Sequence, residues 1–191
     1  GGLYCIAAGR TTRYTTRDGL PDNYVYALEE DRQGRIWVGA YNGGLAVLEG
    51  DRFRTIRNQH LSGQSIWVIR KDRDGDLWVG TDHAGLLWIR DEEIFRFSSR
   101  DGLYSDQAFQ VLEDGNGRLW LNGNRGIFHV AKADLVAFAA GRLARIPCSA
   151  FGKAEGITVT ESSGPASPAG CVDRRGRLWF PTIRGLTVFD P

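Results

Sequence analysis

The sequence predicts an all-β fold: a β-propeller segment of four-stranded antiparallel blades, with one short helix in the insert of the last blade. Three observations carry that expectation. The chain repeats itself around Trp37, Trp78, Trp120 and Trp179, at steps of 41, 42 and 59 residues. The best-formed repeat holds four short runs rich in aromatic and β-branched residues, "NYVYALEE", "RIWVGAY", "GLAVLEG" and "RFRTI", split by "DRQG", "NGG" and "GD". Four strands in about 40 to 45 residues is the pattern of a propeller blade. No apolar stripe of period 3.6 persists inside a repeat, so helical repeats of similar length are excluded.

The elements follow in order. The opening "GGLYCIAAGRTTRYT" aligns with "GGLAVLEGDRFRTI" from Gly43, so residues 1–17 read as a part-blade beginning at a third strand. Blades follow at 18–58, 59–99 and 100–152, the last of these with an insert, and 153–191 reads as a last part-blade. The extra length lies between Val130 and Gly170. There "ADLVAFAAG" combines an early Asp, helix formers and a terminal Gly, the marks of a two-turn helix. "RIPCSAFG" reads as an outer strand and "ESSGPASPAG" as an irregular loop.

A turn motif recurs with the tryptophans. Asp31, Asp72, Asp114 and Asp173 each stand three residues before a glycine (Gly34, Gly75, Gly117, Gly176), and the tryptophan follows three residues later. A carboxylate that accepts backbone N–H groups, with Gly supplying positive φ, closes a tight hairpin. The Trp ring then fills the gap between neighbouring sheets. Asp72, Asp74 and Asp76 resemble a calcium loop, but Gly75 is misplaced for one and no bidentate Glu follows. The equivalent turns "DRQGR", "DGNGR" and "DRRGR" are unsuited to calcium, so a hairpin is expected and no metal.

Composition narrows the function. With 24 Lys plus Arg against 23 Asp plus Glu, there is no electrostatic footprint for nucleic acid or an anionic membrane. No run of 18 apolar residues and no signal-peptide pattern is present. The three cysteines, Cys5, Cys148 and Cys171, have neither CxxC spacing nor an even count, against both a disulfide scaffold and a zinc cluster. No GxSxG, HExxH, phosphate loop or Cys–His pairing appears, so catalytic residues and cofactors are expected to be none. The adjacent carboxylates Glu29–Glu30 and Glu92–Glu93 point to opposite strand faces and read as solvated edges. His60 and His129 have no chemistry around them.

Binding falls to the loops opposite the Asp–Gly hairpins, where propellers usually carry function. Between second and third strands these read "AYNGG", "TDHAG", "NGNRG" and "PTIRG", and the approaches to first strands read "LPDNYV", "LSGQSI" and "LYSDQAF". The candidate ligand contacts are Asp22, Asn23, Tyr24, Tyr41, Asn42, Asp82, His83, Asn124, Arg125 and Arg184. Tyr41 and Asn42 suit a sugar, by stacking and hydrogen bonding, and suit a simple turn equally well. Arg125 and Arg184 suit a carboxylate or phosphate, or solubility alone. His83 reads as a ligand contact, a general base or a solvated loop residue. Asp22, Asn23 and Tyr24 also suit a cap on the strand that follows.

The recurrent "GLPDNYVYALEEDRQGRIWVGAYNGGLAVL" resembles the two-component regulator propeller repeat. That repeat is found in periplasmic sensor domains of hybrid histidine kinases and of membrane-bound diguanylate cyclases. The ending "GRLWFPTIRGLTVFDP" is similar to the final blade of such domains. The resemblance implies a periplasmic, non-catalytic sensor whose ligand is a small polar molecule such as an oligosaccharide. It further implies many repeats, and then an immunoglobulin-like domain, a transmembrane helix and a cytoplasmic output module. Its motif marks structural positions, here Asp31, Gly34, Trp37, Gly39 and their copies, and carries over no ligand contact.

An open arc of this size exposes strand edges and apolar blade faces. Ring closure, association with a second copy as a homo-oligomer, or membership of a longer propeller chain with a membrane-anchored output domain are the ways to cover them. Two alternative functions stand beside the sensor. Streptogramin lyases are similar in repeat style but need a histidine base and a divalent metal, and only His83 lies on a suitable loop. The other alternative is a scaffold propeller that binds a protein.

Overall fold

The computed structural model describes residues 1–152, 155–157, 161–162 and 168–191. Its strands form five antiparallel sheets, each made of strands consecutive in the chain. β1 (Leu3–Ala7) and β2 (Arg10–Tyr14) form a hairpin. Three four-stranded blades follow. Blade 1 holds β3 (Val25–Glu30), β4 (Ile36–Ala40), β5 (Gly44–Glu49) and β6 (Arg52–Thr55). Blade 2 holds β7 (Ile66–Lys71), β8 (Leu77–Thr81), β9 (Leu86–Arg90) and β10 (Glu93–Phe97). Blade 3 holds β11 (Gln110–Glu113), β12 (Arg118–Gly123), β13 (Gly126–Ala131) and β14 (Cys148–Phe151). Blade 4 has three described strands, β15 (Cys171–Val172), β16 (Leu178–Thr182) and β17 (Gly185–Phe189). The fold is the expected all-β blade array. Of the predicted loop 161–170 and the segment 153–191, residues 153–154, 158–160 and 163–167 lie outside the described residues.

Alternation along the third strands sorts side chains onto two faces. Leu45 and Val47 of β5 pack toward blade 2, against Leu87 and Ile89 of β9. Leu86 and Trp88, on the other face of β9, pack toward blade 3 against Phe128 and Val130 of β13. The core therefore lies between blades. Each such aliphatic side chain contributes about 1.5–3 kcal/mol when fully buried.

The Asp–Gly–Trp turn anchors each blade through four donors. Asp31 Oδ1 accepts from the Gln33 and Arg35 amides, both at 2.9 Å, and Oδ2 accepts from Arg35 Nε at 2.7 Å and Trp37 Nε1 at 2.8 Å. Asp114 and Asp173 repeat this set with Arg118 and Trp120, and with Arg177 and Trp179. The indole N–H was not foreseen as a partner of this carboxylate. It explains why Trp rather than Phe stands at the motif position, since Phe would leave the carboxylate one donor short.

Close packing of inner strands depends on Gly39 and Gly80. A Cβ on Gly39 would lie 2.5 Å from Ile66 Cγ2, and one on Gly80 would lie 2.5 Å from the Ala108 carbonyl oxygen. In blade 3 the same position is Asn122, which donates to Ser162 Oγ at 2.7 Å and to the Ala169 carbonyl at 3.3 Å. At this position the seam between blades 3 and 4 is polar, while Ile127, Leu178 and Phe180 keep the rest of it apolar.

The helix α1 (Lys132–Ala139) lies in the connection from β13 to β14. Leu135 is buried among blade 2 and blade 3 side chains, and Phe138 meets Phe97 edge to face. Gly141, at φ +71°, closes the helix by donating to the Phe138 carbonyl. β14 then pairs with β13 as the outermost strand.

Candidate functional site

The connections between second and third strands and those between blades share one face. Three equivalent loop positions build its frame. Tyr41 N donates to the Tyr24 carbonyl at 2.9 Å in blade 1, and Asp82 N donates to the Ser65 carbonyl at 3.1 Å in blade 2. In blade 3, Asn124 N turns instead to Gln107 Oε1 at 3.0 Å. Tyr24, Ser65 and Gln107 each stand seven residues before the motif aspartate of their repeat.

Two residues further along, and so five before the same aspartates, stand Tyr26, Trp67 and Phe109. Tyr26 and Trp67 fall where the pairing of β3 with β4 and of β7 with β8 shifts register, between Val25 and Ala27 and between Ile66 and Val68. A bulge leaves its extra residue out of the ladder and re-aims its side chain. Here it brings the aromatics of successive blades together. Tyr26 lies 5.1 Å from Trp67, Trp67 lies 6.1 Å from Phe109, and Tyr41 lies 6.0 Å from Tyr26 and 6.3 Å from Trp67, centroid to centroid. Phe109 is buried, Trp67 is half-buried, and Tyr24, Tyr26 and Tyr41 are exposed.

Polar groups border this row. Asp82 Oδ1 accepts from Gln107 Nε2 at 2.8 Å and from Trp67 Nε1 at 3.4 Å, and Asp82 Oδ2 lies 3.3 Å from His83 Nε2. Ser65 Oγ accepts from Asn42 N at 3.1 Å and donates to Asn42 Oδ1 at 3.2 Å. Gln64 Oε1 holds the His83 amide at 3.1 Å. The network crosses both seams, from blade 1 to blade 2 and from blade 2 to blade 3.

The predicted contacts separate into groups. Tyr24, Tyr41, Asn42, Asp82, His83 and Asn124 meet at this face through the bonds above. Asp22 accepts from Tyr24 N at 2.7 Å and Asn23 accepts from Thr16 N at 3.1 Å, so both side chains serve the turn leading into β3. Arg125 stacks over Tyr104 at 4.8 Å and donates to the Tyr104 carbonyl. Arg184 lies on the loop after β16 in blade 4, apart from the aromatic row. His60 and His129 are held below the usual histidine range, first by burial and then by Arg96 and Arg118 respectively. Tyr26, Ser65, Trp67, Gln107 and Phe109 escaped the sequence reading. Their signal was present, as a fixed offset from each motif aspartate.

At the opposite face, the carboxylates of Asp72, Asp74 and Glu113 surround an ammonium. Lys132 Nζ, at the start of α1, lies 3.1 Å from Asp72 Oδ2, 2.6 Å from Asp74 Oδ2 and 3.1 Å from Glu113 Oε1. Burial alone would lower its pKa, but these three carboxylates raise it well above the ordinary lysine value.

Comparison with known proteins follows the same repeats. Residues 19–42 and 60–83 match the model of the two-component regulator propeller. In fold the chain is similar to the extracellular domain of a hybrid two component system of B. thetaiotaomicron. That match has a TM-score of 0.81 and 23% identity, covering 100% of this chain and 25% of the other. It is similar also to the extracellular domain of a one component system from the same organism, with a TM-score of 0.72 and 18% identity over 98% of this chain and 24% of the other. A more distant likeness is to virginiamycin B lyase from Staphylococcus aureus, with a TM-score of 0.61 and 18% identity over 98% of this chain and 62% of the other. The chain spans about a quarter of the length of the first two. No curated protein matches the sequence.

Proposed function

From a chain that carries two copies of the two-component regulator propeller repeat, we propose a non-catalytic, extracytoplasmic sensor module, periplasmic in location, that engages a small polar ligand at Tyr26, Tyr41 and Trp67. The observation that carries this reading is the aromatic row itself. Tyr26, Trp67 and Phe109 come from equivalent positions of successive repeats, the first two re-aimed by bulges, Tyr41 joins them from a loop tip, and polar side chains border them. Such a mixture of exposed aromatic faces and a few oriented polar groups is what small-molecule sites are made of.

The spacing of the rings favours one ligand class. Rings with centroids 5.1 to 6.3 Å apart pack on one another and leave no room for a group between them. A ligand therefore lies across their outer faces. An oligosaccharide suits this geometry, with its C–H faces on the rings and its hydroxyls toward Asn42, Asp82 and Gln107. Neither nucleic acid nor a cofactor enters this reading. Ligand that bridges Tyr41 of blade 1 and Trp67 of blade 2 would favour one packing of those blades over another, which is the differential affinity a sensor needs.

Calorimetric titration with a panel of neutral and acidic oligosaccharides tests this. Trp67→Ala and Tyr41→Ala are each expected to weaken binding about tenfold or more while the circular dichroism spectrum is unchanged, as loss of a stacking contact implies. His83→Ala and added chelator are expected to change little. Binding that survives both aromatic substitutions would refute the site, and metal-dependent turnover of any panel member would favour the lyase reading.

A further inference from the structure

We infer that Asp82 makes the aromatic row selective for a ligand that carries an alkylammonium group, an inference that rests on that row being the binding site. The carboxylate is no part of the repeat's frame. Tyr41 and Asn124 hold the equivalent positions in blades 1 and 3, and a backbone N–H fixes the loop there, so the fold asks for no charge. Of the two carboxylate oxygens, Oδ1 receives both Gln107 Nε2 and Trp67 Nε1. Among the described residues Oδ2 meets only the His83 ring, whose side chain is 77% exposed and free to turn aside. One oxygen of the pair is therefore open to a donor that the ligand brings.

No lysine or arginine answers this charge among the described residues. The turn aspartates Asp31, Asp72, Asp114 and Asp173 each hold one, from Arg35, Lys132, Arg118 and Arg177. Asp22 and Asp106, on neighbouring loops of the same face, bond to uncharged donors, the Tyr24 amide and the Ser99 amide and hydroxyl. Arg125 is turned onto the ring and carbonyl of Tyr104. The border of the row is thus negative. A ligand carboxylate or sulfate would meet like charge there, with no guanidinium to offset it.

The rings suit the same cation. The indole N–H points to Asp82, which sets the carboxylate at the rim of the Trp67 ring and leaves the exposed ring surface to the ligand. Tyr26, Tyr41 and Trp67 are inclined to one another by 50° to 67°, so they present three facets rather than one flat platform. A compact cation gains from the quadrupole of each ring it touches and again from the carboxylate beside them. A hydroxyl in its place gains neither. An amino sugar joins this group to C–H faces that lie on the rings, while a free quaternary amine offers the group alone.

The test is a titration of the chain with tetramethylammonium and with its neutral isostere neopentyl alcohol, at pH 8 and above the ordinary histidine range, read at the indole N–H signal of Trp67. The cation is expected to shift that signal and to bind about fivefold or more tighter than the alcohol. Asp82→Asn keeps an oxygen for Gln107 and Trp67, and should bring the two probes within about twofold of each other. His83→Ala should leave binding of the cation no weaker. Glucose trimers that carry a hydroxyl, an ammonium or a carboxylate at C6 put the same question on a sugar. The expected order is ammonium, hydroxyl, carboxylate, and Asp82→Asn should erase it. A response to the free cation with no order among the trimers supports the ammonium and makes a free amine its carrier. No response to the cation, equal affinity for cation and alcohol, or a preference that Asp82→Asn leaves intact overturns the inference while the aromatic site stands. Oligosaccharide binding that survives Trp67→Ala and Tyr41→Ala removes the site itself.

Discussion

The turn of blade 2 differs from the turns of blades 1, 3 and 4. In those three the aspartate receives two backbone amides, an indole N–H and the Nε of an arginine four residues on. Blade 2 carries Asp76 where that arginine would be, and Asp76 pairs instead with Arg90 and with Trp88 Nε1. Asp72 keeps its amides and Trp78 Nε1, and its fourth donor is Lys132, sixty residues away in blade 3. What the motif requires is four donors on one carboxylate; which residue supplies the fourth is free. A buried carboxylate short of a donor is costly, so the vacancy selects a substitute from whatever packs nearby.

The largest test of this comparison is at the rings. Trp78→Ala is expected to cost about 4 kcal/mol in urea unfolding, from cavity formation and a stranded carboxylate. Trp179→Ala, in a half-buried ring, should cost about 1–2 kcal/mol. Equal losses would mean that the blade seams do not hold the fold. Next comes the borrowed cation. Lys132→Met should cost about 3 kcal/mol by leaving Asp72 and Glu113 unpaired. In double-mutant cycles it should couple to Asp72→Asn by about 2 kcal/mol and to Asp31→Asn by about zero. Coupling of the same size at both sites would erase the distinction between the turns.

The smallest effect at neutral pH is titration of the turns. Burial acts to raise the pKa of Asp31, Asp114 and Asp173, but hydrogen bonds from the indole, the arginine and the backbone outweigh it and hold all three below the ordinary carboxylate value. A depressed folded pKa means stability that is present in full above the unfolded value and lost as pH falls through the folded one. Urea midpoints should therefore be level from pH 7 to about 5 and fall below about 4. The fall should be shallower in Trp37→Phe, which lacks the indole donor to Asp31. A midpoint that rises in acid would contradict the sign.

Much of the fold was legible because the repeat is written in residues that do the same work in each copy. Asp, Gly and Trp at fixed spacing mark the turn and the ring beneath it, and Gly141 marks the end of α1. Lys132 was not legible, because its role depends on a cation missing from another blade. Glu92, beside Glu93, has the look of a solvated edge in sequence, yet it pairs with Arg35 across a seam that no local pattern reveals. The site was half legible. Tyr41, Asn42, Asp82 and His83 announced themselves as loop tips. Tyr26 and Trp67 sit inside strands, where alternation assigns them to a sheet face, and only the bulges re-aim them.

Those bulges separate two kinds of mutational freedom. A residue inside the ladder is bound to its partners across the sheet, so changing it disturbs register and core together. Tyr26 and Trp67 stand at positions that the ladder skips. Repeats can therefore diverge at this site without renegotiating strand pairing, and a lineage of such propellers can exchange one preference for another on an unaltered frame. For the protein engineer, the positions five residues before Asp31 and Asp72 are the places to randomise.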